Sequence, residues 1–144
     1  MSDNYSKIIA AVDFSSATEQ ILNRAQLIAQ QNGADLILIH VNEPVLIAFE
    51  GMSGVNVDFE AQLEKYAQEQ MQIWGDKYGV DASRRLLRVG STKHEITKVV
   101  EEQDIDLIVI GSHGRSGVAL LLGSTANAVL HGSPCDVMAV RIKE

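Results

Sequence analysis

A glycine-rich stretch from residue 111 to 125, GSHGRSGVALLLGST, contains the residue types that bind phosphate groups. It holds four of the chain's eleven glycines, together with serine and threonine hydroxyls, one His and one Arg. Glycines let backbone N–H groups approach an anion closely, and a helix that begins at the end of the stretch adds unpaired N–H donors. The stretch therefore indicates either a phosphate-binding loop or a flexible turn that leads into a helix.

The better-known phosphate and acyl-transfer motifs are absent from the chain. No Gly-Lys-Ser/Thr tripeptide of a Walker loop occurs, and the segment VDFSSAT after the first predicted strand lacks Gly-x-Gly-x-x-Gly. The nucleophile elbow Gly-x-Ser-x-Gly is missing as well. Any nucleotide site must therefore use a different loop.

Short runs of Ile and Val alternate with longer segments of helical period, and this alternation predicts an α/β fold. Because the strands are apolar on both faces, we expect an open five-stranded parallel sheet, with helices on both faces. Right-handed crossovers favour the strand order 3-2-1-4-5, in a single domain over 1–144. The predicted strands are 7–13, 34–41, 83–90, 106–111 and 136–142, and the predicted helices are 16–32, 57–78, 92–103 and 124–131.

Three helix ends are predicted from single residues. Gly33 is expected to end the first helix, and Ser91 or Thr92 to cap the third, with Glu95 placed for a capping box. Gly132 and Pro134 are expected to stop the fourth helix.

The predicted topology places a ligand between strands 1 and 4, where the winding of the sheet reverses. Asp13 ends the first strand and Gly111 ends the fourth, while Val41 at the end of the second lines the same crevice. Residues from separate segments, polar ones among them, are therefore expected to lie together at one edge of the sheet. For Asp13 the alternative role is to cap the first helix, together with Ser15 or Ser16.

Three segments, AVDFS, LIHV and GSHGRSGVALLLGST, together resemble the universal stress protein family in its ATP-binding, UspA-type branch. The likeness covers nearly the whole chain. The family's pattern is Gly-x2-Gly-x9-Gly-(Ser/Thr), and Gly111, Gly114, Gly123 and Ser124 match it in kind. The loop is one residue shorter than the pattern, which leaves the placement of residues 115–122 open.

The resemblance implies a role for each matching residue. Asp13 would contact the ribose or adenine, and Ala11, Val12 and Val41 would frame the base. The other implied contacts lie along the ribose and phosphates: Gly111, His113, Gly114, Arg115, Gly123, Ser124, Thr125 and Ala126. Mg²⁺ would be carried mainly by the phosphates.

The leading functional hypothesis is a cytoplasmic ATP-binding (or AMP- or ADP-binding) stress-response protein whose nucleotide occupancy changes which protein partner it engages. The alternatives are a slow ATPase or nucleotidyl-transfer enzyme, and a dimeric interaction module with a vestigial site. No catalytic or metal-ligating residue is predicted, because Asp106 begins the fourth strand at the opposite edge of the sheet. His40, His94 and His131 lack metal-ligand spacing and are interpreted as structural or surface residues.

Composition limits the partners. A net charge of −7 without a basic run argues against a nucleic-acid partner. The sequence contains no run of about eighteen apolar residues, so membrane insertion is not expected. The single cysteine, Cys135, fits a reducing cytoplasm and is interpreted as an inert, partly buried thiol.

Two apolar segments predict interactions. The fifth strand is an edge strand with few protecting charges, so we expect a homodimer through Val137, Met138, Ala139, Val140 and Ile142. The loop 43–57 is unusually apolar and is expected either to cover the nucleotide or a partner, or to pack on the long helix.

Overall fold

The computed structural model describes residues 4–44, 57–112 and 124–143, with the backbone alone at 57, 58, 124 and 125. Within these ranges five parallel strands form one sheet in the order β3-β2-β1-β4-β5, which confirms the predicted topology. The strands are β1 (Lys7–Ala11), β2 (Asp35–Asn42), β3 (Arg85–Val89), β4 (Leu107–Gly111) and β5 (Asp136–Val140). The central strand is β1, where Ile9 lies opposite Ile37 on one side and Ile108 on the other.

Four helices connect the strands, as predicted, with ends that differ by at most two residues. They are α1 (Thr18–Asn32), α2 (Val57–Lys77), α3 (Thr92–Gln103) and α4 (Ser124–Leu130). A 3₁₀ turn over Ala82–Arg84, which was not predicted, replaces the first residues of the predicted third strand. Among the described helices, none is long and apolar enough to cross a membrane.

Successive residues of the central strands pack on opposite faces of the sheet. On one face α1 and α2 contribute Leu22, Ala25, Ala67 and Met71 to a core with the strand residues Ile8, Ala10, Leu36, Leu38, Leu107 and Val109. On the other face α3 and α4 contribute Ile96, Val99 and Val129 to a core with Ile9, Ala11, Ile37, Ile39, Ile108 and Ile110. Both faces are covered by helices, which is why these strands are apolar along their whole length.

Two strands, β1 and β5, end two residues earlier than predicted. The N–H of Val12 still donates to the Ile39 carbonyl at 3.0 Å, but at Asp13 the chain turns towards α1 instead of extending β1. At the other end of the fold, the N–H of Ser112 donates to the Val140 carbonyl at 2.8 Å. The N–H of Ile142, the next group along the ladder, donates to the Ser112 side-chain oxygen at 3.4 Å rather than to a backbone carbonyl, so β5 stops at Val140.

Two predicted helix ends, at Gly33 and Ser91, are confirmed, and the predicted capping box is corrected. Gly33 follows α1 with a left-handed φ of 65°, and its N–H donates to the Ala29 carbonyl. Ser91 caps α3, with its side chain accepting the N–H of His94. The predicted capping box with Glu95 is wrong, because with Ser91 as the cap the third helical residue is His94.

The amino ends of the strands are tied together by side chains. The Asp106 carboxylate accepts the N–H groups of Ser6 at 2.8 Å and Lys7 at 3.1 Å, which fixes the start of β1. At the same edge Cys135 is half-buried before β5, and burial raises the pKa of its thiol. A raised pKa keeps a thiol protonated and unreactive at neutral pH, in line with the interpretation of Cys135 as inert.

Candidate nucleotide site

The carboxyl ends of β1, β2 and β4 meet where the winding of the sheet reverses. The chain leaves β1 for β2 on one side, while β4 pairs with β1 on the other side. Ala11, Val41 and Gly111 therefore lie near one another along this edge. In open α/β sheets this crevice is the place where ligands bind.

Small apolar side chains cover the α3–α4 side of this edge. Ala11 and Ala126 are buried in the same core cluster, and Val41 packs against that cluster while staying partly exposed. The structure thus brings three of the predicted contact residues to one side. The Val12 side chain lies in the cluster on the opposite face, so Val12 faces this surface through its backbone alone.

Asp13 directs the turn that joins β1 to α1. Its carboxylate accepts the N–H of Ser15 at 3.0 Å, and the Ser15 hydroxyl oxygen accepts the N–H of Ala17 at 3.2 Å. The residue before α1 is Ala17, which offers no side-chain cap. The helix-capping role predicted as the alternative for Asp13 is therefore present in part. The Asp13 carboxylate stabilises the turn, and the Ser15 hydroxyl accepts an N–H group at the start of the helix. Its contact with a ligand stays a prediction.

Phe14 adopts a backbone conformation that is rare outside glycine. Its φ is 61°, in the left-handed region, and its side chain is only 8% exposed. The ring lies 4.3 Å from the His40 ring and meets Tyr66 of α2 edge-on at 6.5 Å. This packing compensates for the strained backbone, and the left-handed residue turns the chain directly after Asp13.

His40 holds the end of β1 from the neighbouring strand. Its Nδ1 lies 2.7 Å from the Val12 carbonyl oxygen, and its Nε2 lies 2.9 Å from the Asn42 side chain. A carbonyl oxygen only accepts hydrogen bonds, so Nδ1 carries a proton. The structure thus favours the structural interpretation of His40, which contacts Val12 and Phe14, the residues on either side of Asp13.

Sequence reasoning did not connect Phe14, His40, Tyr66 or Glu43 with the candidate site, although it interpreted His40 as a structural or surface residue. The Glu43 carboxylate accepts the N–H of Thr92 at 3.0 Å, which joins the end of β2 to the start of α3. A signal existed for His40, because it occupies the same strand face as the buried Leu36 and Leu38 in the run LILIHVN. Phe14 carried no such signal, because a phenylalanine after a strand does not indicate a left-handed backbone.

Much of the predicted glycine loop lies outside the described residues. His113, Gly114, Arg115 and Gly123 fall there, as do the apolar residues 45–56 of the predicted lid, and Ser124 and Thr125 are described as backbone in the first turn of α4. Gly111 ends β4 opposite Val140. The predicted phosphate contacts therefore stay sequence-based.

No metal centre is formed by the side chains that the structure describes. Within these ranges no three His, Cys, Asp or Glu residues group closely enough to hold a metal ion. The two carboxylates at the carboxyl edge, Asp13 and Glu43, each hold a backbone N–H group. One oxygen of each carboxylate is therefore engaged in local structure.

Curated relatives match the chain from end to end. It is 37% identical over 143 residues to universal stress protein A homolog 1 of Coxiella burnetii, a match that covers 98% of this chain and 99% of the relative. Homolog 2 of the same organism is 38% identical over 144 residues, covering 98% of each.

Solved structures show the same fold. The universal stress protein UspA from Lactobacillus plantarum superposes with a TM-score of 0.78 at 24% identity, covering 97% of this chain and 100% of that one. A universal stress protein in complex with cAMP gives a TM-score of 0.63 at 25% identity, covering 96% and 98%. A model of the universal stress protein family matches residues 4–141. With a family match over nearly its full length and two relatives above one-third identity, this chain belongs to the universal stress protein family.

Proposed function

We propose that this protein binds an adenine nucleotide, with ATP as the leading candidate, at the carboxyl edge of β1 and β4. Occupancy of the site would change which protein partner it engages in a cytoplasmic stress response. The observation that carries the proposal is the position of Asp13, held in a fixed turn beside the apolar surface of Ala11, Val41 and Ala126. A related structure in complex with cAMP supports an adenine nucleotide as ligand.

The described residues suit the nucleoside part of such a ligand. Val41 is partly exposed and offers an apolar contact to a base, while the Asp13 carboxylate accepts hydrogen bonds from ribose hydroxyls. Gly111 has no side chain, so the backbone at the end of β4 is open to close approach. The glycine loop and the start of α4 would then hold the phosphates, with Mg²⁺ carried mainly by the phosphate oxygens.

A nucleotide-holding role is better supported than an enzyme. Phosphoryl transfer needs a base or water-positioning group and a carboxylate that holds metal. The Asp106 carboxylate lies at the amino edge of the sheet, where it accepts the N–H groups of Ser6 and Lys7. The Asp13 and Glu43 carboxylates each accept one backbone N–H group. ATP turnover well above background that is lost in Asp13→Ala would instead support the ATPase or nucleotidyl-transfer alternative.

The proposal is tested first on protein purified without added nucleotide. We expect mass spectrometry of the denatured protein to detect released ATP, ADP or AMP, and calorimetry of the stripped protein to give micromolar ATP affinity that Mg²⁺ strengthens. Gly114→Val is expected to weaken binding, because a side chain obstructs close backbone approach. If the folded, stripped protein binds none of ATP, ADP, AMP and cAMP, the alternative of an interaction module with a vestigial site is supported instead.

We also propose a homodimer formed by antiparallel pairing of two β5 strands. This strand is at the edge of the sheet, and its Ala139 is exposed while Val137 and Met138 are partly buried. The tail after β5 lies against α1, where Lys143 and the Gln20 side chain exchange two hydrogen bonds of 2.8 Å. An apolar edge of this kind is suited to isologous pairing.

Ala139→Pro is expected to convert the dimer to a monomer. The Val140 carbonyl accepts from Ser112, so the backbone of Val140 faces β4 and that of Ala139 faces outwards. Proline at 139 thus removes an outward donor, whereas proline at 140 would damage the sheet of the protomer itself. Light scattering checks the mass, with Ala139→Val as the control that keeps the donor and stays dimeric. A parent protein that is monomeric at micromolar concentration contradicts the dimer.

A further inference from the structure

We propose that His40 is a positioning residue of the candidate nucleotide site and acts as an imidazolium, so that adenine nucleotides bind more tightly as the pH falls. The observation that carries the proposal is a ring whose two nitrogen atoms both meet oxygen atoms, the Val12 carbonyl at 2.7 Å and the Asn42 side chain at 2.9 Å. The effect on ligand binding rests on the proposed function, whereas the effect on the turn at Asp13 does not.

His40 takes over where the backbone pairing of β1 with β2 ends. Among the described residues the last backbone bond between these strands runs from the Val12 N–H to the Ile39 carbonyl. In a continued parallel ladder the Val12 carbonyl would next accept the N–H of Val41, two residues after Ile39. In the structure the His40 Nδ1 donates to this carbonyl, so a side chain holds the segment that leads into Asp13.

The pair of His40 and Asn42 has two arrangements that differ by one proton. The Val12 carbonyl and the Asn42 amide oxygen both accept hydrogen bonds, so with the amide in this orientation both ring nitrogens of His40 donate. A ring with two N–H groups is an imidazolium. In the neutral ring Nδ1 keeps its proton and Nε2 accepts, which requires the Asn42 amide to rotate and present its NH₂ group.

Protonation strengthens the contacts of His40 with both residues that flank Asp13. A charged donor makes a stronger hydrogen bond to the Val12 carbonyl than a neutral one does. The Phe14 ring lies 4.3 Å from the His40 ring, with 30° between their planes, and an aromatic face attracts a cation. With Val12 and Phe14 held in this way, the turn at Asp13 loses less freedom when a ligand binds. A ligand that prefers the imidazolium therefore binds more tightly at lower pH.

Other charged groups lie on the elements around His40 and have to be distinguished from it. Those on the described segments are Asp13 after β1, Glu43 after β2, Glu60 and Tyr66 on α2, and Arg85 and Arg88 on β3. Arg88 is paired with Val41 and so lies on the opposite face of the sheet, and Arg85 is bonded to Asp76. Carboxyl groups ordinarily titrate below about pH 5, and tyrosine and arginine above about pH 9. A step between about pH 5.5 and 8 therefore reports a histidine.

The first experiment uses isotope-labelled protein without ligand. We expect the amide signals of Asp13 and Ser15 and the side-chain NH₂ of Asn42 to shift with the same midpoint as the His40 ring signals between about pH 5.5 and 8. His40→Asn should remove this step, because asparagine keeps a donor for the carbonyl but does not titrate. The matched control is His94→Asn, at an exposed position on α3, which should leave the step unchanged.

The second experiment measures ATP affinity with Mg²⁺ by calorimetry at about pH 6 and about pH 8. A terminal phosphate itself loses a proton near pH 6, so the ratio of the two affinities is compared between the parent and His40→Asn, which share this contribution. We expect the ratio in the parent to exceed that in His40→Asn by about threefold or more, as one strengthened hydrogen bond predicts. His94→Asn should give the ratio of the parent.

Asn42→Asp keeps His40 and remains informative even if His40→Asn does not fold. A carboxylate beside Nε2 favours the imidazolium, so the step at Asp13 and Ser15 should move to higher pH. The positioning role is overturned if these two amide signals do not follow the His40 ring, or if they keep the same midpoint in His40→Asn. Equal affinity ratios in the parent and His40→Asn overturn the effect on nucleotide binding. A protein that binds no adenine nucleotide contradicts the proposed function, and the first experiment still decides the positioning role.

Discussion

Asp13→Ala is expected to weaken adenine-nucleotide binding by about tenfold to a hundredfold, as a lost hydrogen bond to a charged group predicts. The carboxylate is held in place by the Ser15 N–H, so it requires little reordering when a ligand arrives. Isothermal titration calorimetry with ATP and Mg²⁺ measures the change. Unaltered ATP affinity in a folded Asp13→Ala protein would remove Asp13 from the site.

Two controls separate the ligand contact from the local turn. Asp13→Asn keeps a side-chain oxygen for the Ser15 N–H but loses the charge, so we expect a smaller loss of affinity than in Asp13→Ala. Asp81 accepts the N–H of Ser83, also two residues further along, but it lies at the amino edge. Asp81→Ala should therefore lose the same kind of turn contact without changing ATP affinity.

Phe14→Ala is expected to lower the free energy of unfolding by about 3–5 kcal/mol, as for other buried aromatic residues. The ring is lost from its contacts with His40 and Tyr66, while alanine still bears the cost of a left-handed backbone. Glycine adopts this conformation without that cost. Phe14→Gly should therefore be more stable than Phe14→Ala by about 1 kcal/mol.

Phe59 provides the matched control. It is 41% exposed on α2, in a helical backbone where glycine is about 1 kcal/mol less favourable than alanine. Urea unfolding should thus rank glycine above alanine at position 14 and below it at position 59. If alanine is the more stable replacement at both positions, the backbone at Phe14 does not store the strain inferred from its φ.

The architecture of the protein was predictable because it depends on local patterns. The runs KIIAAVD, ADLILIHV and DLIVIG indicated buried parallel strands, and the chirality of the crossovers then left the order that is observed. Gly33 ended α1 as expected, since a left-handed residue after a helix needs no partner elsewhere in the chain. The position of the candidate site followed from that topology, with Asp13 and Gly111 at two adjacent strand ends.

Contacts between distant residues were decided only by the tertiary structure. His40 reaches the Val12 carbonyl across 28 positions of sequence, and the rings of Phe14, His40 and Tyr66 come from three different elements. Val12 is among the residues that the resemblance assigns to the ligand, and only the structure shows that its side chain packs in the core on the opposite face of the sheet. Periodicity shows which residues are buried. Which buried residues meet depends on how the helices and loops pack around the sheet.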